Sequence, residues 1–533
     1  MLIGDIMDKI KKSKIKYALI YITFCFFMIL VFENKVNFYS DELLSYGLSN
    51  DAGGMYMAIE DGNTYFPSNT PWITHFSVDP GERFRYDIVW QNQSRDVHPP
   101  MYYLILHTIC SFIPNAFSIW FAAVINILFA LGVLFFLGQL VFTLTQDEGA
   151  RTLVSIAFIC SAGILSSVAF LRMYIMAMFW TIALAYVVVK RIGLKNDFKG
   201  WLAIFVCTAG GALTHYYCII YAVFLSIFYG CYLIYKKQWK ETAFFCLTQG
   251  MAAGVSICVF PSIVKHIFFS TRGVESFDNM AEEGLSDSFV RIKEFWHLID
   301  TELFGGLLLC IICVFILFSI KDGGWRLHKT LRYADKTTLI RYLSIICPCV
   351  LYFLLVSRIA VYIQDRYMFP IYGVLFAVII SGISLWCRKI MKAQYMYMLV
   401  WILVIITVVG WKDGTLDYLC KSTEPLLASA AKHSYADCVY VYDDNYRINA
   451  SYKEVSNYNS VTFYKLNDLD MLSTSDLSTR YELVLTTMLE DEEVLDRVLE
   501  LCPYLNAYDY LGRWGYTDTY CLYYKPANLD TRG

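Results

Sequence analysis

Two short polar clusters stand at the ends of one long polar stretch, and both carry residue types that group-transfer chemistry uses. Ser40-Asp41-Glu42 opens the stretch, and His98-Pro99-Pro100-Met101-Tyr102-Tyr103 closes it. The chain before Asp41 and after Tyr103 is almost continuously hydrophobic. An acidic pair directly after a membrane span is costly unless it faces water or a polar cavity. We therefore interpret this stretch as the catalytic face of an integral membrane enzyme.

The acidic pair has two interpretations. A carboxylate of Asp41 or Glu42 can act as a general base that accepts a hydroxyl proton while the oxygen attacks an electrophile. The same residues can simply begin a helix, because Asp is favourable at a helix N-terminus. The two roles are compatible, since a cap also holds the carboxylate in place.

The second cluster is conformationally restricted. Two prolines fix their φ angles and disfavour helix in the preceding residue, so His98 is expected in an extended segment. The alternative is a helix-start sequence with an incidental histidine. Tyr102 and Tyr103 fit a binding site or, equally, an interfacial aromatic belt.

Arg172 and Arg366 are candidates for anion recognition. Each lies at a span end beside a tyrosine, Tyr174 or Tyr367. A guanidinium binds phosphate oxygens bidentately and keeps its charge. The alternative is an arginine that extends to the lipid headgroups. His215, which precedes Tyr216, fits either a ligand or a core histidine with satisfied hydrogen bonds.

The composition identifies the element type that must position these residues. The 533-residue chain is 57% hydrophobic and 17% charged, with a mean hydropathy of +0.46, which indicates a polytopic membrane protein. A net charge of −3 without a basic block gives no support for nucleic-acid binding. The basic segment before Tyr17–Phe32 has no cleavage pattern after it and reads as an uncleaved signal anchor.

A bilayer-spanning helix needs about 20 apolar residues. This criterion predicts eleven spans, at residues 17–33, 117–142, 152–170, 174–189, 201–214, 217–235, 242–264, 304–320, 342–357, 368–387 and 395–411.

Basic residues gather in alternate connections between the predicted spans: the N-terminal segment and residues 190–199, 236–240, 321–341 and 388–392. Positively charged loops face the cytoplasm, which predicts a cytoplasmic N-terminus and places the first loop, 34–101, and the C-terminus outside. The opposite connections supply titratable or aromatic groups at one depth, including His266, Arg272, Glu275 and Glu282-Glu283 in loop 265–303. This pattern predicts a polar cavity at the outer leaflet.

The tail from Lys412 is polar, acidic and rich in tyrosine. Short strands are predicted at Val439–Tyr442, Val461–Leu466 and Leu483–Thr487, with an amphipathic helix at Asp491–Leu501. The aromatic-rich segment Tyr520–Tyr524 is a candidate for a last strand. We therefore predict a small extracytoplasmic α/β domain. A disulfide among Cys420, Cys438, Cys502 and Cys521 is left open. The pair Cys310 and Cys313 lies within a predicted span without a second ligand pair, so we interpret it as core rather than redox-active.

These motifs together resemble a known enzyme group. The chain resembles the polyprenyl-phosphate-sugar glycosyltransferases with the GT-C fold. The likeness is carried by the carboxylate pair and HPPMYY, and it extends to Leu171–Tyr174, Thr214–Tyr217 and Asp365–Tyr367 before Pro370. Within that group the likeness is to protein O-mannosyltransferases, lipid A aminoarabinose transferases and bacterial relatives of glycosyltransferase family 39. It covers most of residues 1–411, so that segment is assigned as a GT-C transmembrane domain and 412–533 as an accessory domain.

The resemblance implies a polyprenyl-phosphate sugar donor in the outer leaflet and an acceptor hydroxyl on a glycan, protein or lipid. Asp41 is the expected base, Glu42 would orient the acceptor, and the anomeric carbon would be inverted. His98, Arg172 and Arg366 would hold the phosphate. The predicted donor site is completed by Tyr102, Tyr103, Tyr174, His215, Tyr216 and Tyr367.

Two further expectations come from the same resemblance. Some relatives use a divalent metal and others do not, so a metal at Asp41 and Glu42 is left open. A bacterial plasma membrane is the expected location, because the likeness is to bacterial members.

Two alternatives remain. A flippase or transporter for a lipid-linked glycan would often show internal repeats and broken helices near the midplane, whereas here the charged residues lie at one membrane face and no matching halves are evident. A glycan polymerase would use outer loops late in the chain rather than the first one.

Overall fold

The computed structural model describes residues 2–67, 70–194, 197–282, 284–321, 336–391, 394–413, 416–488 and 492–526. The chain divides into two compact units. The first, here called the helical unit, comprises Met1–Glu33, Gln93–Tyr102 and Ala122–Leu416. The second, the mixed unit, comprises Asn34–Asn92, Tyr103–Phe121 and Asp417–Gly533.

The helical unit is built from long apolar helices joined by short turns. Its helices are Leu2–Glu33, Ile119–Thr145, Glu148–Ile159, Ala162–Ala169, Tyr174–Arg191, Phe198–Ala212, Tyr216–Tyr235, Trp239–Val259, Ser262–Phe268, Thr271–Glu282, Leu285–Phe304, Leu308–Lys321, Lys336–Ile359, Phe369–Met391 and Tyr395–Asp413. A short 3₁₀-helix covers Asp365–Tyr367.

Within the described residues, eight helices are long and apolar enough to cross a membrane, and up to ten if each of two bent pairs forms one span. The prediction of eleven spans is therefore corrected. The predicted span at 152–170 is a pair of helices bent by 57°, and the one at 304–320 follows a bend of 81°. At that second bend Gly305 and Gly306 have φ angles of 62° and 73°, which glycine adopts without a steric penalty. The predicted span at 201–214 is a 15-residue helix, Phe198–Ala212.

Several predicted features fall on residues outside the described ranges. These are Lys195, residues 322–335 and Lys392 of the basic connections, Glu283 of the predicted outer loop, and Asp491 at the start of the predicted C-terminal helix. The orientation of the chain in the membrane stays a prediction.

The mixed unit contains a six-stranded sheet. Its strands are β1 Thr64–Tyr65, β2 Asp437–Tyr442, β3 Ser460–Lys465, β4 Glu482–Thr487, β5 Ala507–Trp514 and β6 Thr517–Tyr523, in the order β1-β3-β2-β4-β6-β5. Strand β2 runs parallel to β3 and β4, and the other neighbours are antiparallel. The helices of this unit include Ser40–Asn50, Pro71–Phe76, Glu424–Lys432, Tyr452–Val455 and Glu492–Leu501. The helices Tyr86–Arg95 and Met101–Phe112 each contain a boundary between the units.

The four strands and the helix predicted in the tail are confirmed. They surround a core that includes Val439, Val441, Leu483, Leu485 and Val498. Strand β5 was not predicted: it is a largely exposed edge strand, with a bulge between Tyr510 and Gly512, so it lacks a buried face and a regular alternation.

The first loop contributes to the sheet of the tail. Thr64 and Tyr65 pair with Thr462 and Val461 of β3, and the hydroxyls of Thr64 and Thr462 lie 2.8 Å apart. Residues 34–92 of the predicted first loop therefore belong to the same compact unit as the tail, whereas residues 93–101 belong to the helical unit. All seventeen cysteines are among the described residues and each is a free thiol, including Cys420, Cys438, Cys502 and Cys521.

Candidate functional site

The helical unit gathers two arginines and two histidines from separate segments of the chain. His98 lies in the segment before helix Met101–Phe112, Arg172 in the turn before helix Tyr174–Arg191, and Arg366 in the 3₁₀-helix. His215 directly precedes helix Tyr216–Tyr235. Arg172, His215 and Arg366 are 4%, 7% and 9% exposed. Burial of an arginine is costly, so buried arginines at span ends favour a functional role over contact with lipid headgroups.

His215 is the centre of this cluster, which we call the cationic cluster. Its ring centroid lies 6.2 Å from that of His98 and 5.2 Å from that of Tyr174. The backbone N–H of Tyr217 donates to Nδ1 of His215 over 3.2 Å. Because Nδ1 accepts, the proton of the neutral imidazole resides on Nε2. His215 thus offers one N–H donor in a buried position.

The charged groups that shift the pKa of His215 are all positive. Burial is the largest cause that lowers its pKa well below the usual value, followed by the positive charges of His98, Arg172 and Arg366. His215 is therefore neutral at physiological pH. The convergence of these charges at one buried ring creates a positive potential suited to an anion.

Asp96 was not predicted and adjoins the cluster. Its carboxylate lies 2.7 Å from Nδ1 of His98. Burial raises the pKa of Asp96, but the charge and hydrogen bond of His98 and the charge of Arg172 outweigh it, so the net pKa is lowered. The ionised carboxylate orients the His98 ring through its contact with Nδ1. Its position two residues before His98 was the available sequence signal.

Tyrosines surround Arg366. Its guanidinium carbon lies 5.5 Å from the ring centroid of Tyr367, in cation–π geometry. The ring of Tyr217 lies 5.5 Å from that of Tyr367, and the Tyr352 hydroxyl donates to the backbone oxygen of Tyr367 over 2.6 Å. Tyr217 and Tyr352 were not predicted as site residues, since a tyrosine in an apolar helix gives no distinctive pattern.

The turn that carries Arg172 is fixed from a neighbouring helix. The side-chain amide of Asn126 donates to the backbone oxygens of Val168 and Phe170, over 2.9 and 2.7 Å. The Tyr102 hydroxyl donates to Oδ1 of Asn126 over 3.2 Å. Tyr102 thus contacts a residue that supports the arginine turn. An amide side chain within a long apolar run, as at Asn126, is the signal in the sequence for this support.

Tyr216 and His266 connect the segment before His98 to the helix that follows His215. The Tyr216 hydroxyl lies 2.7 Å from Nδ1 of His266, and Nε2 of His266 lies 3.4 Å from the backbone oxygen of Ser94. A carbonyl only accepts, so Nε2 carries the proton and Tyr216 donates to Nδ1. Tyr216 therefore positions the polar segment.

The predicted acidic pair lies in the mixed unit, at the start of helix Ser40–Asn50. Glu42 is fully buried: Oε2 accepts from the backbone N–H of Tyr39 over 2.8 Å, and the carboxylate pairs with Lys35 at 2.9 Å. Lys35 also donates to the backbone oxygen of Tyr418. These contacts are those of a residue that caps a helix and joins two chain segments. The predicted acceptor role of Glu42 stays a prediction.

Asp41 is half-buried in the first turn of the same helix, where the helix dipole favours a negative charge. It interacts electrostatically with Tyr516 of the β5–β6 turn, the pKa of which is raised chiefly by burial, then by Tyr446, Asp41 and Tyr39. Arg447 lies over the Tyr516 ring, 5.1 Å from its centroid, and pairs with Asp443 at 3.2 Å. The surroundings of Asp41 thus combine aromatic rings with an arginine.

The predicted site residues therefore fall into two groups. The structure brings together His98, Arg172, Tyr174, His215, Arg366 and Tyr367 in the cationic cluster, with Tyr102 and Tyr216 supporting it. Asp41, Glu42 and the fully buried Tyr103 belong to the mixed unit. In the part of the chain that the structure describes, Asp41 and Glu42 are not members of a group of three potential metal ligands.

No protein-family model matches this sequence, and no curated protein sequence matches it. Among solved structures, the chain is similar to the archaeal oligosaccharyltransferase AglB from Archaeoglobus fulgidus in complex with an inhibitory peptide and a dolichol-phosphate. The TM-score is 0.42 and the identity 9%, over 92% of this chain and 69% of that chain. A likeness this distant does not establish a shared activity, so the functional interpretation depends on the site itself.

Proposed function

We propose that this multi-pass membrane protein is an inverting glycosyltransferase of the GT-C type, which moves a sugar from a polyprenyl phosphate to an acceptor hydroxyl. The observation that supports this proposal is the convergence of buried Arg172 and Arg366 with His98 on the ring of His215. A membrane-embedded cationic cluster of this kind suits the phosphate of a lipid.

The cluster matches the change in charge during the reaction. A sugar phosphodiester carries one negative charge, whereas the polyprenyl phosphate that leaves carries up to two. Groups that bind the doubly charged polyprenyl phosphate more strongly than the singly charged phosphodiester stabilise the transition state, because the second charge develops there. The two guanidinium groups supply permanent charge, and the Nε2–H of His215 supplies a neutral donor.

Asp41 is the proposed general base. Its carboxylate accepts the proton of the acceptor hydroxyl, the hydroxyl oxygen bonds to the anomeric carbon, and the bond from that carbon to the phosphate oxygen breaks. One direct displacement inverts the anomeric configuration. Glu42, by its buried contacts with Lys35 and Tyr39, holds the helix that carries Asp41 and is proposed to orient the acceptor through it.

The setting of the reaction is part of the proposal. The donor lies in the outer leaflet of a plasma membrane, bacterial by the sequence resemblance, and the acceptor is a glycan, protein or lipid on the outer face. Residues 1–411 with the first loop 34–101 carry the reaction, and the tail is an accessory segment.

The test is transfer of labelled sugar from a polyprenyl-phosphate donor by the purified protein in lipid nanodiscs. We expect Arg172→Gln and Arg366→Gln each to lower the transfer rate ~10²–10³-fold, as for loss of one oxyanion-stabilising donor. Arg497→Gln is the matched control, because this exposed arginine of the mixed unit pairs with Asp470 at 2.7 Å and is not a member of the cluster. Normal transfer by both cluster variants would exclude the proposed phosphate site.

The same preparation separates transfer from transport. A flippase would move an intact lipid-linked glycan across sealed vesicles without forming a glycosidic bond. We expect transfer, with label recovered in a new glycosidic linkage. Label recovered only as unchanged lipid in the opposite leaflet would reject the transferase.

A further inference from the structure

Three potential metal ligands of different types meet in the mixed unit, where strand β4 begins beside β6. His433 directly follows helix Glu424–Lys432, Glu482 begins β4, and Cys521 lies within β6. Their ligand atoms all lie within 4.8 Å of one another. Nothing in the proposed transfer reaction uses these residues.

The sheet register brings two of the ligands together. In the antiparallel pair of β4 and β6, Glu482 is opposite Tyr523 and Val484 is opposite Cys521. Residues that face each other lie on one side of the sheet, and that side recurs every second residue. Glu482 and Cys521 are therefore diagonal neighbours on one face, and His433 reaches them from the end of its helix.

The distances among the three ligand atoms match a tetrahedral zinc site. With Zn–N, Zn–S and Zn–O bonds of about 2.05, 2.3 and 2.0 Å, tetrahedral angles require separations of about 3.3 Å for N···O, 3.6 Å for S···N and 3.5 Å for S···O. Nδ1 of His433 lies 3.1 Å from Oε1 of Glu482, and Sγ of Cys521 lies 3.6 Å from that Nδ1 and 3.8 Å from that Oε1.

The surroundings also suit an ion. The side chains of His433 and Glu482 are 24% and 30% exposed, which leaves a path from solvent, while Cys521 is 3% exposed. The Tyr435 side chain hydrogen-bonds to Glu482, as an outer-shell group that orients a ligating carboxylate does. A thiolate, an imidazole and a carboxylate together select zinc over the hard cations Ca²⁺ and Mg²⁺.

We infer that His433, Glu482 and Cys521 bind one Zn²⁺ ion, with the fourth coordination position open to water. The ion joins the end of helix Glu424–Lys432 to β4 and β6 and stabilises the mixed unit. This inference is independent of the proposed glycosyl transfer, since neither Asp41 nor the cationic cluster contributes a ligand.

The test uses the full-length protein in detergent, treated with chelator and reductant and then given Zn²⁺ alone. Elemental analysis after dialysis should find one zinc per chain, and Zn²⁺ should raise the melting temperature. Co²⁺ in place of Zn²⁺ should give a thiolate-to-metal charge-transfer band. We expect His433→Ala and Cys521→Ser to weaken Zn²⁺ binding at least ~10-fold, since even outer-shell changes cost that much.

Cys438→Ser is the matched control, because Cys438 is a buried thiol in the same sheet, with Sγ 3.7 Å from the Thr486 hydroxyl. It should retain zinc and the charge-transfer band. Should Cys438→Ser lose the band while Cys521→Ser retains it, the thiolate assignment would be wrong. A wild-type protein that melts at an unchanged temperature and holds no zinc after dialysis would mean that the three groups are only hydrogen-bonded. None of these experiments measures sugar transfer. A negative result for zinc binding would therefore not contradict the proposed glycosyltransferase function.

Discussion

The cationic cluster of the helical unit and the acidic helix of the mixed unit differ in how they hold charge. The cluster draws its residues from four separate places in the chain and buries two arginines nearly completely. The acidic helix holds its charges locally, with Lys35 only seven residues from Glu42 and with Asp41 half-buried. An arginine keeps its proton when buried, whereas a base must gain and lose one. Permanent charge can therefore be buried for binding, while proton transfer favours partial exposure.

The largest expected effect is that of Asp41→Asn, which removes the base and keeps the size of the side chain. We expect sugar transfer to fall ~10²–10⁴-fold with an unchanged melting temperature, because general-base catalysis contributes that much. The measurement is single-turnover transfer at saturating donor. Asp87→Asn is the control, since Asp87 is an exposed carboxylate of the same loop that pairs with Arg85 at 2.7 Å. Transfer at the normal rate by Asp41→Asn would show that Asp41 is not the general base.

The second effect concerns Glu42, the buried member of the acidic pair. Lys35→Met leaves the Glu42 carboxylate buried without its cation, and we expect it to lower the free energy of unfolding by ~3–5 kcal/mol. The double variant Lys35→Met/Glu42→Leu should recover most of this loss, because it removes both charges. Chemical denaturation of the purified chain measures both.

The double variant also tests whether Glu42 has a role beyond supporting its helix. If it transfers sugar at a rate near that of the wild type, Glu42 supports the helix and nothing more. A folded double variant without transfer would instead assign Glu42 a direct contact with the acceptor.

The third effect is a pH dependence in the mixed unit, away from both charged sites. Burial raises the pKa of Glu454 from 4.5 to about 7, against hydrogen bonds from Thr519 and Tyr458 that lower it. The folded state thus holds the proton more tightly than the unfolded state does. The free energy of unfolding should fall by about 3 kcal/mol as the pH rises from about 4.5 to about 7, and remain lower above that.

Glu454→Gln should flatten this slope and raise the melting temperature at pH 8 relative to the wild type. Thermal melting of the full chain across pH 4.5–8 measures it. Glu500→Gln, at an exposed glutamate paired with Arg497 at 2.8 Å, should leave the slope in place. An unchanged slope in Glu454→Gln would show that other groups carry the dependence.

The smallest expected effect is that of Tyr102→Phe. It removes one hydrogen bond to Asn126, and such bonds between membrane helices average about 0.6 kcal/mol. We expect a less than ~3-fold rise in the donor KM, because the turn carrying Arg172 loosens slightly. Tyr342→Phe, which loses a 2.9 Å hydrogen bond to Ser381, should leave KM unchanged. A complete loss of transfer in a folded Tyr102→Phe protein would place Tyr102 against the substrate.

Local pattern predicted much of this molecule. The apolar runs located the helices, and short runs rich in β-branched and aromatic residues located β2, β3, β4 and β6. The errors came where one run contained a break, at Cys160–Ser161 and at Gly305, and where an edge strand had no buried face, as in β5. Hydropathy averaged over a window indicates that a segment is apolar. It does not indicate where a helix within that segment breaks and changes direction.

The sequence by itself determined which residues are unusual in their setting, namely an acidic pair, a histidine before two prolines and arginines at the ends of apolar runs. Only the tertiary structure decided which of them meet. It placed His98, Arg172 and Arg366 around His215, attached the first loop to the sheet of the tail through β1, and assembled His433, Glu482 and Cys521. The reason is physical: secondary structure follows from neighbours three or four residues away, whereas these contacts depend on how helices and strands pack.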